Sequence, residues 1–164
     1  MTIVDTSQSV PCKRVVRIES PRHNEDVRRE KVLAVDYGTR NIGLAESDEL
    51  GITIRPLPSF PNRGRRDLVA RLRSRLASAA VDRVVVGLPR NMDGTEGPAA
   101  ARVRSLIGAL ERDLGLPVTG VDERLTTVEA TEIWRSLPHR QQRGYRTVDS
   151  LAAALILERF LGGE

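Results

Sequence analysis

The spacing of apolar and polar positions separates a polar N-terminal stretch from a patterned remainder. Residues 1–30 are polar and mixed in charge, with no sustained period, which predicts a disordered extension. A short strand over Arg14–Ile18 that pairs with a partner is the alternative. From residue 31 onwards, apolar runs alternate with helical periods, so we expect one folded domain over residues 31–164.

Short apolar runs predict five strands in this domain. The first is a buried strand at Val32–Val35, the second begins at Ile42 and the third covers Gly51–Ser59. Because the turns between these three are short, they form an antiparallel meander. The later runs Val84–Val86 and Pro117–Val121 predict two further strands.

Apolar residues at helical spacing predict four helices, which alternate with the later strands. The segments are Arg65–Ala80, Pro98–Leu114, Thr126–Leu137 and Val148–Leu161. The segment His139–Arg146 has no apolar period and is interpreted as a polar loop. Three strands followed by helix–strand alternation indicate an α/β fold, with a mixed five-stranded sheet and helices on both of its faces.

Composition and charge favour a cytoplasmic protein with an anionic partner. The formal net charge is +4, and Lys13 and Lys31 are the only lysines, so arginine supplies nearly all the positive charge. Arginine presents a planar fork that suits phosphate, although a composition bias of the source genome explains the excess equally well. Cys12 is the single cysteine, which excludes an internal disulfide and fits a reducing compartment. No stretch is long and apolar enough to cross a membrane.

Three acidic residues stand where predicted core elements begin or end. Asp36 closes the first strand, Glu123 follows the fifth and Asp149 opens the last helix. Buried carboxylates are costly unless paired, and a hard divalent cation would hold three of them together. Each position also has a structural explanation: a turn at Asp36, a surface pair of Arg124 with a neighbouring acid, and the helix dipole at Asp149. Their separations of 87 (123 − 36) and 26 (149 − 123) residues form no local motif, so only the fold can assemble them.

Four blocks of the chain form a recognisable set: Val35–Ala45, Val86–Pro89 with Asp93, Gly94 and Gly97, Asp122–Thr127, and Val148–Ala153 with Ile156 and Leu157. Together they resemble the YqgF/RuvX family. The resemblance covers roughly residues 31–161, in the family's order, and implies a ribonuclease H-like fold close to the Holliday-junction resolvase RuvC. It also implies a nuclease that processes the 5′ end of pre-16S ribosomal RNA, although some members have been regarded as junction resolvases.

The resemblance also implies a metal-dependent active site. Asp36, Glu123 and Asp149 match the family's acidic positions, and as catalytic residues they would bind one or two Mg²⁺ or Mn²⁺ ions. Two such ions would activate water and stabilise the leaving 3′ oxygen, so no histidine base is needed. The two histidines, His23 and His139, lie outside the acidic blocks.

Arginines near these blocks are candidates for holding the nucleic-acid backbone. Aromatic residues make up only 3% of the chain, so base stacking contributes little, and binding should rest on phosphate contacts that weaken with salt. Solvated surface is the alternative interpretation for each arginine. The candidates are Arg40, Arg90, Arg124, Arg140, Arg143 and Arg146.

Other functions remain open at this point. A DNA resolvase for recombination would need two sites and hence a dimer, so monomer and homodimer are both retained. A non-catalytic, RNA-binding ribosome-assembly factor would keep the same fold, with pre-rRNA or a ribosomal precursor particle as its partner. The turn Asp36–Thr39 resembles a phosphate loop of actin-like phosphotransferases, but those proteins need two lobes, which 164 residues do not easily supply.

Overall fold

The computed structural model describes residues 16–17, 30–124, 126–145 and 147–163. Strands and helices alternate in these ranges as the sequence pattern predicts, with two additions at β1 and α4. The elements are β1 (Val16–Arg17), β2 (Val32–Tyr37), β3 (Asn41–Ser47), β4 (Thr53–Pro61), α1 (Arg65–Ala79), β5 (Arg83–Leu88), α2 (Pro98–Leu114), β6 (Val118–Asp122), α3 (Thr126–Ser136), α4 (His139–Tyr145) and α5 (Val148–Gly162).

The strands form one mixed sheet in the order β1-β4-β3-β2-β5-β6. Strands β2, β3 and β4 are the predicted antiparallel meander, whereas β5 runs parallel to β2, and β6 runs parallel to β5. The predicted five strands are β2–β6. The observed sheet has one strand more than predicted, because the two-residue strand β1 pairs with β4 of the same chain at the sheet edge. There Val16 lies opposite Ile54. The rest of the predicted extension before residue 30 lies outside the described residues.

Helices cover both faces of the sheet, as predicted. Strand residues alternate between faces, so Leu33 and Val35 pack with α1 and α2, whereas Val32 and Ala34 pack with α5. Helix α5 is apolar over most of its surface because it is also covered by α3, against which Leu151 packs. None of the helices in the described ranges, α5 included, combines the length and the hydropathy that a bilayer span requires.

The predicted polar loop at 139–146 is wrong, because His139–Tyr145 forms the short helix α4. The segment lacks an apolar period, and side-chain hydrogen bonds tie it to the preceding helix instead. Gln142 donates from Nε2 to the carbonyl oxygens of Trp134 at 2.9 Å and Leu137 at 3.1 Å. Helix α4 also contacts β4 and α5, so it lies beside the N-terminus of the last helix.

Candidate functional site

Asp36 is one of two acidic side chains that are buried in the described part of the chain. It lies near the end of β2 and, like Val32 and Ala34, points towards α5. Its residue exposure is only 9%. Burial and, second, the charge of Asp149 raise the pKa of Asp36 to about 7. The fold therefore brings together two predicted site residues that are 113 (149 − 36) positions apart.

The other buried acid, Glu46, shows what a carboxylate in the core ordinarily requires. Arg55 and Arg75 both donate hydrogen bonds to it, the Arg75 Nε bond being 2.9 Å long. Burial alone would raise the pKa of Glu46, but these hydrogen bonds hold it below its usual value. No described side chain donates a hydrogen bond to Asp36 or forms an ion pair with it, so its loss of hydration is uncompensated.

Glycine at position 43 allows α5 to begin directly against the sheet. Gly43 lies opposite Asp36 in the β2–β3 ladder, and a Cβ there would lie 2.0 Å from the carbonyl oxygen of Asp149. Thr147 caps α5 by accepting a hydrogen bond from the Ser150 N–H at 3.1 Å. The Ser150 hydroxyl donates to a backbone carbonyl of β4 at 2.6 Å. These contacts hold the first turn of α5, and with it Asp149, beside Asp36.

Glu123 approaches Asp36 by lying across β5, the strand between β6 and β2. Its N–H donates to the carbonyl oxygen of Leu88 at 3.2 Å, which keeps the chain beside β5 just after β6 ends. A Cβ on Gly87 would lie 2.0 Å from Glu123 Oε2. The carboxylate thus occupies the space that any larger residue at position 87 would fill.

The electrostatic environment of Glu123 resembles that of Asp36. Burial raises its pKa to about 7, the charges of Asp36 and Asp122 add to the increase, and Arg159 opposes it. Near neutral pH both carboxyl groups are therefore close to half protonated, and a nearby cation would favour their ionised forms.

The donor set fits a hard divalent cation, which prefers carboxylate oxygens. Asp36 interacts electrostatically with both Asp149 and Glu123, on the face of the sheet that α5 covers. In the described ranges, however, no three side chains of His, Cys, Asp or Glu are grouped closely enough to hold a metal ion as they stand. To act as one ligand set, the three carboxylates would have to move closer together.

Arg159 of α5 holds the loop that carries Glu123. Its Nη1 donates to the carbonyl oxygens of Asp122 at 3.1 Å and Arg124 at 3.0 Å, the residues on either side of Glu123. Its Nη2 donates to Glu129 Oε2 at 3.2 Å, which joins the loop to α3. Sequence analysis missed Arg159, because an arginine near the end of an apolar helix carries no sign of its partners.

Three of the predicted arginines follow the strands that end at this site, and they differ in their acidic partners. Arg124 pairs with Asp122, Nε to Oδ2 at 2.9 Å, as one of its two interpretations anticipated, yet its side chain is 42% exposed. Arg90 lies 3.5 Å from Glu96 and 3.9 Å from Asp122. Arg40 is exposed in the β2–β3 turn, and no described acid pairs with it.

The remaining predicted arginines belong to α4 and the segment after it. Arg140 and Arg143 are exposed and lie three residues apart, so they share one side of the helix. Neither pairs with an acid among the described residues. Their helix contacts α5, whose first turn carries Asp149. Arg146 lies outside the described residues.

Comparison with solved structures supports the predicted ribonuclease H-like architecture. The fowlpox virus Holliday junction resolvase superimposes with a TM-score of 0.51 at 15% sequence identity, over 82% of this chain and 99% of that chain. At this identity the likeness bears on the fold alone, and it confirms the α/β, ribonuclease H-like prediction.

Sequence relatives and a family model identify the family. Three relatives carry the name "Putative pre-16S rRNA nuclease". The Lachnospira eligens protein is 40% identical over 134 residues, 80% of this chain and 96% of its own. The Anaeromyxobacter dehalogenans protein is 43% identical over 133 residues, with the same coverages of 80% and 96%. The Streptomyces coelicolor protein is 40% identical over 139 residues, 84% of this chain and 83% of its own. The model described as "RuvX: Holliday junction resolvase" matches residues 30–163, and the chain therefore belongs to the RuvX family.

Proposed function

We propose that this protein is a metal-dependent nuclease that hydrolyses phosphodiester bonds and processes the 5′ end of pre-16S rRNA. Its family membership and the names of its relatives support the activity and the substrate. The observation that carries the proposal is that the buried Asp36 lies near both Glu123 and Asp149 and has no cationic partner among the described side chains.

Asp36, Glu123 and Asp149 would hold one or two Mg²⁺ or Mn²⁺ ions, which supply activation of water and stabilisation of the leaving oxygen. Asp36 and Glu123 would release their remaining protons on holding such an ion, because their pKa values of about 7 leave them partly protonated at neutral pH. Cation affinity should therefore increase between about pH 6 and pH 8. Arg159 keeps Glu123 in place while its carboxylate changes protonation state.

The exposed arginines around the carboxylates would bind the substrate backbone. Arg40 and Arg90 follow β2 and β5 at the edge where Asp36 lies, and Arg124 follows Glu123 directly. Arg140 and Arg143 extend this positive surface along α4. Guanidinium groups bind phosphate oxygens in a bidentate manner, so these residues would position the strand without reading its bases.

Cleavage of a labelled substrate panel tests the proposal. The panel contains the 5′ flank of pre-16S rRNA, single-stranded RNA and DNA, and a four-way DNA junction, each with Mn²⁺, Mg²⁺ or EDTA. We expect metal-dependent cutting of the rRNA precursor and a loss of about a hundredfold or more in Asp36→Asn. Asp67→Asn on α1 is the matched control, because it makes the same chemical change away from the carboxylates and should cut at the wild-type rate.

The description of the family model favours one second candidate, a Holliday junction resolvase acting on DNA. Symmetric cutting of a four-way junction needs two sites, so a dimer in solution together with preference for the junction would select this function. If no substrate is cut but Asp36→Asn still binds RNA and complements a deletion strain, the protein is a non-catalytic assembly factor.

A further inference from the structure

A second concave site lies on the opposite side of β2 from Asp36, between the β2–β3 turn and α2. Its volume of about 460 Å³ is within the range of roughly 300–1,000 Å³ typical of small-ligand sites. We call it the α2 cleft. The residues that matter here are Tyr37, Thr39, Arg65, Arg102, Ser105 and Leu106.

The polar groups of the α2 cleft are available for a ligand. Arg102 is exposed, and no described acid or hydrogen-bond acceptor engages it. Arg65 is 52% exposed at its side chain and has only a distant ion pair, 3.8 Å from Asp113. The hydroxyl groups of Thr39 and Ser105 form no hydrogen bond with any described residue. Two weakly engaged guanidinium groups beside free hydroxyls suit a phosphate group.

The floor of the α2 cleft is apolar and would accept the remainder of a nucleotide. Leu106 and Val103 are buried beneath the cleft, and the partly buried Tyr37 packs against the same core cluster. An aromatic ring and aliphatic side chains provide a surface for a sugar or a base face without selecting a base.

The α2 cleft and the carboxylates share one edge of the sheet. Tyr37 follows Asp36 in β2, and consecutive strand residues point to opposite faces. Pro89, just after β5 has ended, also lines the cleft, and Gly87 within that strand lies under Glu123 on the other face. A nucleic-acid strand that crosses this edge would contact the carboxylates on one side and the cleft on the other.

We propose that the α2 cleft binds one nucleotide of the single strand that flanks the cleaved phosphodiester bond, with its phosphate on Arg65 and Arg102. The proposal deepens the proposed function and rests on it, since the flanking strand is defined by the cleavage position. The volume of the α2 cleft suits a single nucleotide.

Binding of a labelled 12-nucleotide single-stranded RNA, measured by fluorescence anisotropy in EDTA, tests this site without cleavage. Arg102→Ala should weaken binding about fivefold, because a phosphate contact is lost from a defined position. Arg112→Ala is the matched control: it removes the same charge from an exposed position ten residues further along α2, about 15 Å away along the axis, and should change the Kd less than about twofold. Inorganic phosphate as competitor shows whether free phosphate alone fills the site.

A second pair of variants tests whether the strand enters the α2 cleft. Ser105→Trp fills the cleft without changing the charge and should weaken binding as Arg102→Ala does, whereas Ser105→Ala should bind like wild type. Losses that are equal in Arg102→Ala and Arg112→Ala, or full binding by Ser105→Trp, would overturn the proposal. Because these measurements need no catalysis, they separate failure of the cleft from failure of the nuclease, which the Asp36→Asn cleavage assay reports.

Discussion

Single residues of the carboxylate site connect its chemistry to the stability of the protein. Asp36 ionises near pH 3.8 when it is fully hydrated, whereas burial and Asp149 raise its pKa to about 7 in the fold. The folded protein therefore holds this proton more tightly than the unfolded chain does. The stability contributed by the protonated group is complete below about pH 4 and is lost as the pH rises through 7.

Replacing Asp36 by Asn should therefore raise the melting temperature at pH 8 in EDTA. We expect a gain of a few degrees, on the order of 1–3 kcal/mol, because Asn carries no charge that must be buried. The gain should disappear near pH 4. Thermal melts from pH 4 to pH 8 measure it, with Asp67→Asn as the control that follows wild type. If the melting temperatures of Asp36→Asn and wild type changed with pH in the same way, burial of the Asp36 carboxylate would not destabilise the protein.

Gly87 lies under Glu123, and its replacement by Ala should remove activity while the fold persists. The new Cβ would meet only the ends of side chains, Glu123 Oε2 at 2.0 Å and Ile156 Cδ1 at 2.6 Å, which can move aside. We expect cleavage to fall about tenfold or more with a stability loss below about 2 kcal/mol. Gly120→Ala is the control, because its Cβ would approach nothing closer than Ile107 Cδ1 at 3.1 Å. Wild-type cleavage by Gly87→Ala would mean that Glu123 has no fixed catalytic position.

Sequence reasoning identified the three acids because each ends or begins an apolar segment, but it did not anticipate how they meet. The pattern predicts a strand over Val84–Val86 that is bounded by Gly87, whereas β5 continues to Leu88 and the glycine makes room for Glu123. Glycine weakens a strand interior, and this signal marks both Gly87 and Gly43 as sites of close approach. Only the register of β2 against β3 and β5 shows which carboxylates lie near these two glycines.

Among the secondary-structure elements, α5 has the tightest fit to the sheet. A Cβ on Gly43 would meet backbone atoms, the Asp149 carbonyl carbon at 2.4 Å and the Ser150 nitrogen at 3.1 Å, besides the carbonyl oxygen at 2.0 Å. The backbone atoms of a capped helix cannot shift as the end of a flexible side chain can. Gly43→Ala should therefore displace α5 and destabilise the protein by about 2–4 kcal/mol, clearly more than Gly87→Ala. Urea unfolding of the two variants measures the difference, and equal losses would contradict the close contact.

The C-terminal part of α5 holds the loop that carries Glu123, and Arg159 variants test this role separately. Arg159→Gln removes the guanidinium that bridges the carbonyl groups of Asp122 and Arg124, so Glu123 should lose its fixed position. We expect the Mn²⁺ concentration for half-maximal cleavage to rise about fivefold or more, with a small change in substrate KM. Arg159→Lys should restore part of the wild-type Mn²⁺ dependence, because lysine keeps the positive charge but offers only a single point of contact. A loss of thermal stability with unchanged Mn²⁺ dependence would make Arg159 a purely structural residue.

The order of elements was predictable because most of them bury a periodic apolar face, and the exceptions lack such a face. Helix α4 is polar and arginine-rich, so its helical state depends on Gln142 and on neighbouring elements that sequence periodicity does not reveal. Strand β1 contributes two residues to a ladder with β4, too few to form an alternating pattern. Both are elements that tertiary contacts stabilise.

The whole molecule carries a net charge of +4 and few aromatic residues. Its affinity for nucleic acid should therefore depend strongly on the salt concentration. We expect the logarithm of the RNA association constant to fall linearly with the logarithm of KCl concentration. Arg140→Ala should reduce that slope by about one unit, because one phosphate contact is removed, whereas Arg112→Ala should leave it unchanged. A slope that is the same in wild type and Arg140→Ala would place the α4 surface outside the RNA path.

Because α5 follows the other described elements in the chain, its docking determines when Asp149 comes near Asp36. Protein synthesis proceeds from the N-terminus, so Asp36 and Glu123 exist for some time before Asp149 is added. Until then the apolar sheet face that contains Val32 and Ala34 has no cover from α5. The same docking event covers this part of the core and adds Asp149 to the proposed site. In that proposal, a nascent chain on the ribosome would gain a complete set of carboxylates only when α5 folds back onto the sheet.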